Sequence, residues 1–343
     1  MKNESSYEET VALVDNNILD KQIYVVNEKY WDIKESIIED NEGTSKLIVA
    51  VKKIYHVSTN SETKQIIRCR NRLPNHQDNL ILLTLLSIAQ NQRSFLVKTT
   101  YYDILKRVNW SFGKKNYELV EDSLDVLHSL HITYEKNFYS NGNYINFSTY
   151  VISSIYKTNE VIEIQFEPKF IEMMTQNKYF SFLIVNKYAR LKSPFQKRLF
   201  DILIKSFHNS LSYKIRWENL KKKLEDNSKY KSDFLKKVKR AIKAINDFTY
   251  LKIELEDYNG LLQFWCKNEE KIRYVQFIDY LSRDLNKYGI NEAILRELEL
   301  KGYLKKVNDY YILSLRDERL KELIINSKPF LHVLKLFKIV EII

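Results

Sequence analysis

WENLKKKLEDNSKYKSDFLKKVKRAIKAINDFTYLKIELEDYNGLLQFW, residues 217–265, is matched element for element by YYDILKRVNWSFGKKNYELVEDSLDVLHSLHITYEKNFYSNGNYINF, residues 101–147. Each stretch predicts a short helix, a turn, a long amphipathic helix and a hairpin closing on Asn-Gly. In the short helix Trp217, Leu220 and Leu224 correspond to Tyr101, Ile104 and Val108, an offset of 116. In the long helix Leu235, Val238, Ile242, Ile245 and Phe248 correspond to Tyr117, Val120, Leu124, Leu127 and Leu130, an offset of 118. The hairpins keep that offset, with Asn259-Gly260 against Asn141-Gly142 and Trp265 against Phe147.

A helix-turn-helix followed by a β-hairpin is a winged helix, whose second helix is shaped to enter a DNA groove. The expected fold class is therefore α+β, helix-rich, with tandem winged-helix domains. Outward from the two repeats, the chain divides into an acidic, flexible N-terminal segment (1–43), a first winged-helix domain with N-terminal strands (44–176), a second winged-helix domain (177–268) and a C-terminal module (269–343). A short helix is expected near Tyr30–Ile38. Alternation predicts strands at Leu47–Val57 and Gln65–Arg70, joined by the turn Ser58–Thr63. Asn75 is placed to cap the apolar helix Leu80–Ala89. Strands are expected at Val151–Tyr156 and Val161–Phe166, then a helix over Glu167–Gln176. Ser193-Pro194-Phe195-Gln196 is a capping box with proline at the first helical position, and its helix puts Leu199, Ile202, Leu203 and Phe207 on one face. A strand near Ser212–Ile215 leads into the second repeat. The tail predicts helices at Tyr274–Lys287 and Glu292–Leu300 and a hairpin of Tyr303–Lys306 and Tyr310–Leu313 turning at Asn308-Asp309. It reads either as a reduced third winged helix or as a helical appendage. Phe330–Ile343 reads as an amphipathic helix that packs on the body or mediates association.

Charge is unevenly distributed. Residues 1–43 hold four Lys against eleven acids, a net of −7; the total is +11, so the remainder carries +18. A polyanionic partner is implied for the body. Cys69 and Cys266 stand far apart without metal-ligand spacing, which fits a reducing cytoplasm. The N-terminus has no signal-peptide pattern, and no stretch is long and apolar enough to span a bilayer.

The long helix of the second repeat is the sharpest candidate. Opposite its apolar stripe lie Lys236, Lys239, Arg240 and Lys243; Lys229, Lys231 and Ser232 precede them, and Lys221, Lys222 and Lys223 end the short helix. From Leu211 to Lys243 twelve basic residues face four acids. Such cations neutralise phosphates and release counterions, so binding should weaken with salt. Ser232, Lys236 and Arg240 are the candidates for reaching base edges. In the first repeat the four equivalent positions are Glu118, Glu121, Asp122 and Asp125. Only its helix start is basic, with Lys114, Lys115 and Asn116, helped by Lys106 and Arg107. Two roles are open to this unit: insertion of its first turn into DNA, or self-association through the acidic face.

Enzyme signatures are absent from the sequence. No two of the six His flank one apolar residue, as a rolling-circle nickase requires, and no His has Arg three residues later, as a tyrosine recombinase requires. There is no GxxxxGK[ST] loop. His128 and His131 are better explained by helix-end packing than by metal. No catalytic residue, metal or cofactor is expected.

From about Arg72 to Lys267 the chain resembles bacterial plasmid replication initiators of the tandem winged-helix kind, the replication initiator protein A group. The resemblance rests on Leu73-Pro74, on the Tyr101–Leu130 helix pair, and on Tyr188–Leu203 (YARLKSPFQKRLFDIL), with Ser193, Arg198 and Leu199 at recurring positions. It implies double-stranded DNA with repeated origin sites as the partner, opening of an adjacent AT-rich region, and recruitment of host initiator and replicative helicase. It also implies a homodimer whose contacts lie largely in the first unit, and a cytoplasmic location with nucleoid or plasmid. The alternative is a winged-helix transcriptional regulator with no replication role.

Overall fold

The computed structural model describes residues 10–40, 43–56, 61–92, 94–140, 143–158, 161–176, 180–207, 210–267, 304–307, 310–313 and 339–342. In chain order its elements begin with β1 (Val11–Asp15), α1 (Asn16–Lys21), a 3-10 turn (Glu28–Tyr30), β2 (Asp32–Asp40), β3 (Gly43–His56), β4 (Ser61–Arg70), α2 (His76–Gln92) and β5 (Leu96–Thr99). The first repeat follows as α3 (Tyr101–Arg107), α4 (Lys114–Ser129), β6 (His131–Ser140) and β7 (Asn143–Tyr150). Next come β8 (Ile152–Lys157), β9 (Ile162–Phe166), α5 (Pro168–Gln176), β10 (Phe180–Ile184), α6 (Val185–Tyr188) and α7 (Pro194–Ser206). The second repeat is β11 (Ser212–Arg216), α8 (Trp217–Lys223), α9 (Lys231–Phe248), β12 (Ile253–Tyr258) and β13 (Leu261–Cys266), and the tail holds β14 (Leu304–Val307), β15 (Tyr310–Leu313) and β16 (Ile339–Ile342).

The chain divides into two compact units: Met1–His208 with Lys214–Tyr250 and Asp257–Gln263, and Asn209–Tyr213 with Leu251–Glu256 and Phe264–Ile343. In the first, α2 is buried from Asp78 to Ala89 because its apolar residues surround the whole helix. It packs against α4, α3, β1 and β5. Asn75 performs the expected cap, its Oδ1 accepting from the Gln77 amide at 2.7 Å. A five-stranded antiparallel sheet runs β2-β3-β4-β6-β7, so the N-terminal strands extend the wing of the first repeat through the β4–β6 pair. A second sheet, β5-β9-β8, lies beside the first helix pair in sequence, and β1 pairs with β10, Val11 opposite Ile184. The capping box of α7 is present in full, Ser193 Oγ accepting from the Gln196 amide and Gln196 Oε1 from the Ser193 amide. Leu199, Ile202, Leu203 and Phe207 are buried as expected.

Three expectations change. Tyr30–Ile38 is not a helix: Trp31 leads into the nine-residue strand β2, which hydrogen-bonds to β3 along its whole length. The β-branched residues Ile33, Ile37 and Ile38 suit that pairing, and a long partner strand decides a segment whose local pattern was ambiguous. The acidic N-terminal segment, read as flexible, holds β1, α1 and β2 within residues 10–40, with Asp15, Asn16, Asn17, Gln22 and Tyr24 buried. At the other end, Ile339–Ile342 is a strand parallel to β15, where an amphipathic helix was expected. The tail hairpin is present as β14–β15, while the helices expected at 274–287 and 292–300 lie outside the described residues.

Strands β14-β15-β16 of the tail form one three-stranded sheet, and β11, β13 and β12 of the second repeat form another in that order. Leu251, Ile253, Phe264 and Cys266 are buried. The order α7-β11-α8-α9-β12-β13 is the winged-helix order the repeat predicts.

Candidate nucleic-acid interface

The short helices α3 and α8 end alike. Val108 and Leu224 close them, and the next residues, Asn109 and Glu225, adopt left-handed backbone at φ 57° and 51°. They are equivalent in the repeat, at its offset of 116. Asparagine tolerates this conformation; glutamate does so poorly. Glu225 is nevertheless fully buried, and its carboxylate accepts from Gln22 Nε2 at 2.8 Å, Trp31 Nε1 at 3.0 Å and the amides of Val26 and Asn27 at 3.1 and 2.8 Å. Lys52 Nζ completes the set at 2.5 Å. Burial lowers the Lys52 pKa even with that carboxylate beside it.

Neighbouring contacts tie the same turn to the N-terminal segment. Asn27 Nδ2 donates to the Glu225 carbonyl, and the Tyr30 hydroxyl donates to the Asp226 carbonyl at 2.6 Å. Asp226 accepts from the Ser228 amide and from Lys237 Nζ at 2.7 Å, fixing the start of α9. Arg198, buried on α7, donates to the carbonyls of Leu19, Asp20 and Lys223. Burial opposes ionisation of Asp20, but Lys223, Lys21 and Lys205 outweigh it and hold the carboxyl well below its usual range. Phe234 packs on Trp217 and Phe195, filling the space between the two helices of the second repeat.

On α9 the buried stripe is Phe234, Val238, Ala241, Ile242 and Ile245. Leu235 is half-buried and Phe248 is 42% exposed, so the stripe begins one residue earlier and ends earlier than the sequence predicts. Lys236, Lys239, Arg240, Lys243, Lys229 and Ser232 are exposed, as is Lys222. Arg240 and Lys243 form no ion pair among the described residues. Lys236 lies 3.7 Å from Asp233, on the exposed side of the first turn. Two candidates have structural duties instead: Lys223 pairs with Asp20 at 2.7 Å, and Lys231 with Asp257 at 3.0 Å at the hairpin mouth. Lys221 is half-buried. The hairpin closes on Asn259 and Gly260 at φ 52° and 96°, the left-handed pair that a two-residue turn matching strand twist requires. A Cβ on Gly260 would stand 3.2 Å from the Trp217 ring.

The first repeat presents a different face. Glu118, Glu121, Asp122 and Asp125 are all exposed on α4, yet each meets a cation. Lys157 of β8 reaches Glu121 at 3.2 Å and Asp125 at 3.3 Å. Arg72 bridges Asp122 at 2.6 Å and the buried Asp78 at 2.6 Å. Lys114 lies 3.8 Å from Glu118. At the helix start Lys106 and Lys115 are exposed, Arg107 pairs with Asp103 at 2.9 Å, and Asn116 Nδ2 donates to Ser111, holding the turn. The turn of the first hairpin, Asn141-Gly142, lies outside the described residues.

Glu225, Arg72 and Lys157 escape a reading of the sequence because their partners lie tens to hundreds of positions away. Lys237 belongs to the same basic run, but its pairing with Asp226 is visible only in the fold. No group of His, Cys, Asp and Glu among the described residues could hold a metal ion, and no described helix is long and apolar enough to cross a membrane. Cys69 is buried, its thiol pushed up to about 12 by burial.

Residues 60–204 match the family model described as initiator replication protein, WH1, which spans the first repeat and α7. No curated protein matches the chain. Among solved structures, the crystal structure of RctB domains 2-3 has 12% identity and a TM-score of 0.44 over 74% of this chain and 98% of that one. A selenomethionine derivative of RctB domains 2 and 3 has 11% identity and a TM-score of 0.45, with the same coverage of 74% and 98%.

Proposed function

We propose, from the initiator match across its first winged helix, that this protein is a replication initiator that binds repeated double-stranded sites at an origin. On this reading it promotes opening of an adjacent AT-rich region and recruits the host initiator and helicase. The observation that carries the DNA-binding half is the solvent face of α9, where Lys236, Lys239, Arg240 and Lys243 are all exposed on a helix tied to the preceding turn by Lys237 and Asp226. Cations so arranged meet phosphates, while Ser232, Lys236 and Arg240 at and after the helix start face base edges. The first repeat is the weaker DNA contact, through Lys106, Lys114 and Lys115, and the surface for a homodimer. Because Lys157 and Arg72 offset the acids of α4, that face can approach a second chain without the repulsion four bare carboxylates would bring.

Footprinting the full chain on DNA flanking its gene tests this. Several protected direct repeats beside an AT-rich tract are expected. A single protected site with no adjacent opening would favour the transcriptional regulator instead.

A further inference from the structure

One aromatic position is exposed in both repeats. Phe112 and Tyr230 stand at the repeat's offset of 118, each just ahead of the long helix, and are 55% and 59% exposed. Each ring is braced on one side. Tyr102 stacks on Phe112 with centroids 4.6 Å apart and planes at 17°, and Lys229 Nζ lies 5.4 Å from the Tyr230 ring centre. Neither ring caps its helix: the cap of α4 is Gly113, and Tyr230 makes no side-chain cap bond to α9. The cores of the two repeats are filled by other aromatics, so burial does not explain the pair.

We propose that Phe112 and Tyr230 each read a thymine, the ring packing against the C5-methyl group in the major groove. The inference rests on the DNA-binding reading above and names the base it recognises. The start of the long helix is the part of a winged helix that reaches base edges. Among major-groove features the thymine methyl is the apolar one, and apolar side chains are what contact it. Phosphates are provided for in both repeats, by Lys106, Lys114 and Lys115 around Phe112 and by Lys229, Lys236 and Arg240 around Tyr230, all exposed. The proposal also resolves the difference between the repeats. An α4 with acids along its side cannot lie deep in a groove, but its tip can still deliver one uncharged contact.

The test uses the full chain and a duplex recovered by selection from a random pool. Each thymine is replaced in turn by deoxyuridine, which keeps the base pair and removes only the methyl. Wild-type affinity should fall about fourfold at one position per helix start, the factor that burial of one methyl group corresponds to. Tyr230→Ala should bind the thymine duplex more weakly and lose discrimination at one of those positions, with Phe112→Ala doing the same at the other. Tyr230→Phe, which keeps the ring, should keep discrimination. If wild type is indifferent to every deoxyuridine, or if the alanine variants discriminate as well as wild type, the thymine reading is overturned while DNA binding stands. If selection recovers no duplex at all, the DNA-binding reading falls and takes this inference with it.

Discussion

Glu225 occupies a backbone conformation that suits glycine or asparagine, as Asn109 shows at the same place in the first repeat. Left-handed backbone at such a residue costs about 1–2 kcal/mol. The five hydrogen bonds its carboxylate accepts offset that cost, so this side chain and no shorter one holds the turn. Glu225→Gln should destabilise the chain by about 3 kcal/mol, because an amide turns N–H donors toward donors and leaves Lys52 buried without its counter-charge. Urea unfolding checks this; an unchanged midpoint would show the network to be incidental. Asp201 is the second informative residue. Burial pushes its carboxyl up to about 7, against the lowering pull of Arg198, Tyr24, Tyr188 and Lys197. Its Oδ2 accepts from the Tyr24 hydroxyl at 2.9 Å, and its Oδ1 has no hydrogen-bond partner among the described residues. Since the folded value lies above that of the unfolded chain, the folded state binds more protons between about pH 4 and 7. Stability from this group is therefore complete below about pH 4 and declines as pH rises toward 7. Asp201→Asn should remove that decline, so unfolding midpoints of variant and wild type should diverge in the variant's favour between pH 5 and pH 8. A pH-independent difference would argue that Asp201 keeps its ordinary affinity for protons.

The elements α4 and α9 share one buried stripe and differ in everything that faces outward. Both stripes were legible in the sequence, because a period near 3.6 residues survives any choice of exposed side chains. The phase at the start of α9 was not, since Phe234 and Leu235 are both apolar and only the Trp217 and Phe195 rings decide which points inward. The acids of α4 were legible too, but the cations that answer them were not, as Lys157 comes from β8 and Arg72 from ahead of α2. Their functional difference is open to a direct comparison. Reversal of Lys236 and Arg240 to Glu should weaken DNA binding at least tenfold and flatten its salt dependence, whereas reversal of Lys114 and Lys115 should cost less. Titration of a labelled duplex at two or more salt concentrations measures both, and a greater loss from the α4 pair would invert the ranking of the two helices.

For the whole molecule, composition and the duplicated pattern disclosed the tandem helix-turn-helix order and the basic body. They did not disclose that residues 10–40 are built into the fold, because their partners are remote: β10 for β1, Arg198 for the carbonyls of α1, and Glu225 for the amides of Val26 and Asn27. Net charge alone describes an unattached arm; in the structure the polar side chains Asn16, Asn17 and Gln22 are buried against Ser181, Tyr139 and Glu225, partners no local pattern reveals. That arrangement has a consequence for biosynthesis. The first thirty or so residues leave the ribosome long before the chain that receives them, and the wait spans roughly 200 residues, on the order of ten to forty seconds of translation. Until β10 emerges β1 has no partner strand, and until Glu225 emerges Gln22, Trp31 and the amides of Val26 and Asn27 lack their acceptor. The segment after α1 is among the first parts made and waits longest for its partner.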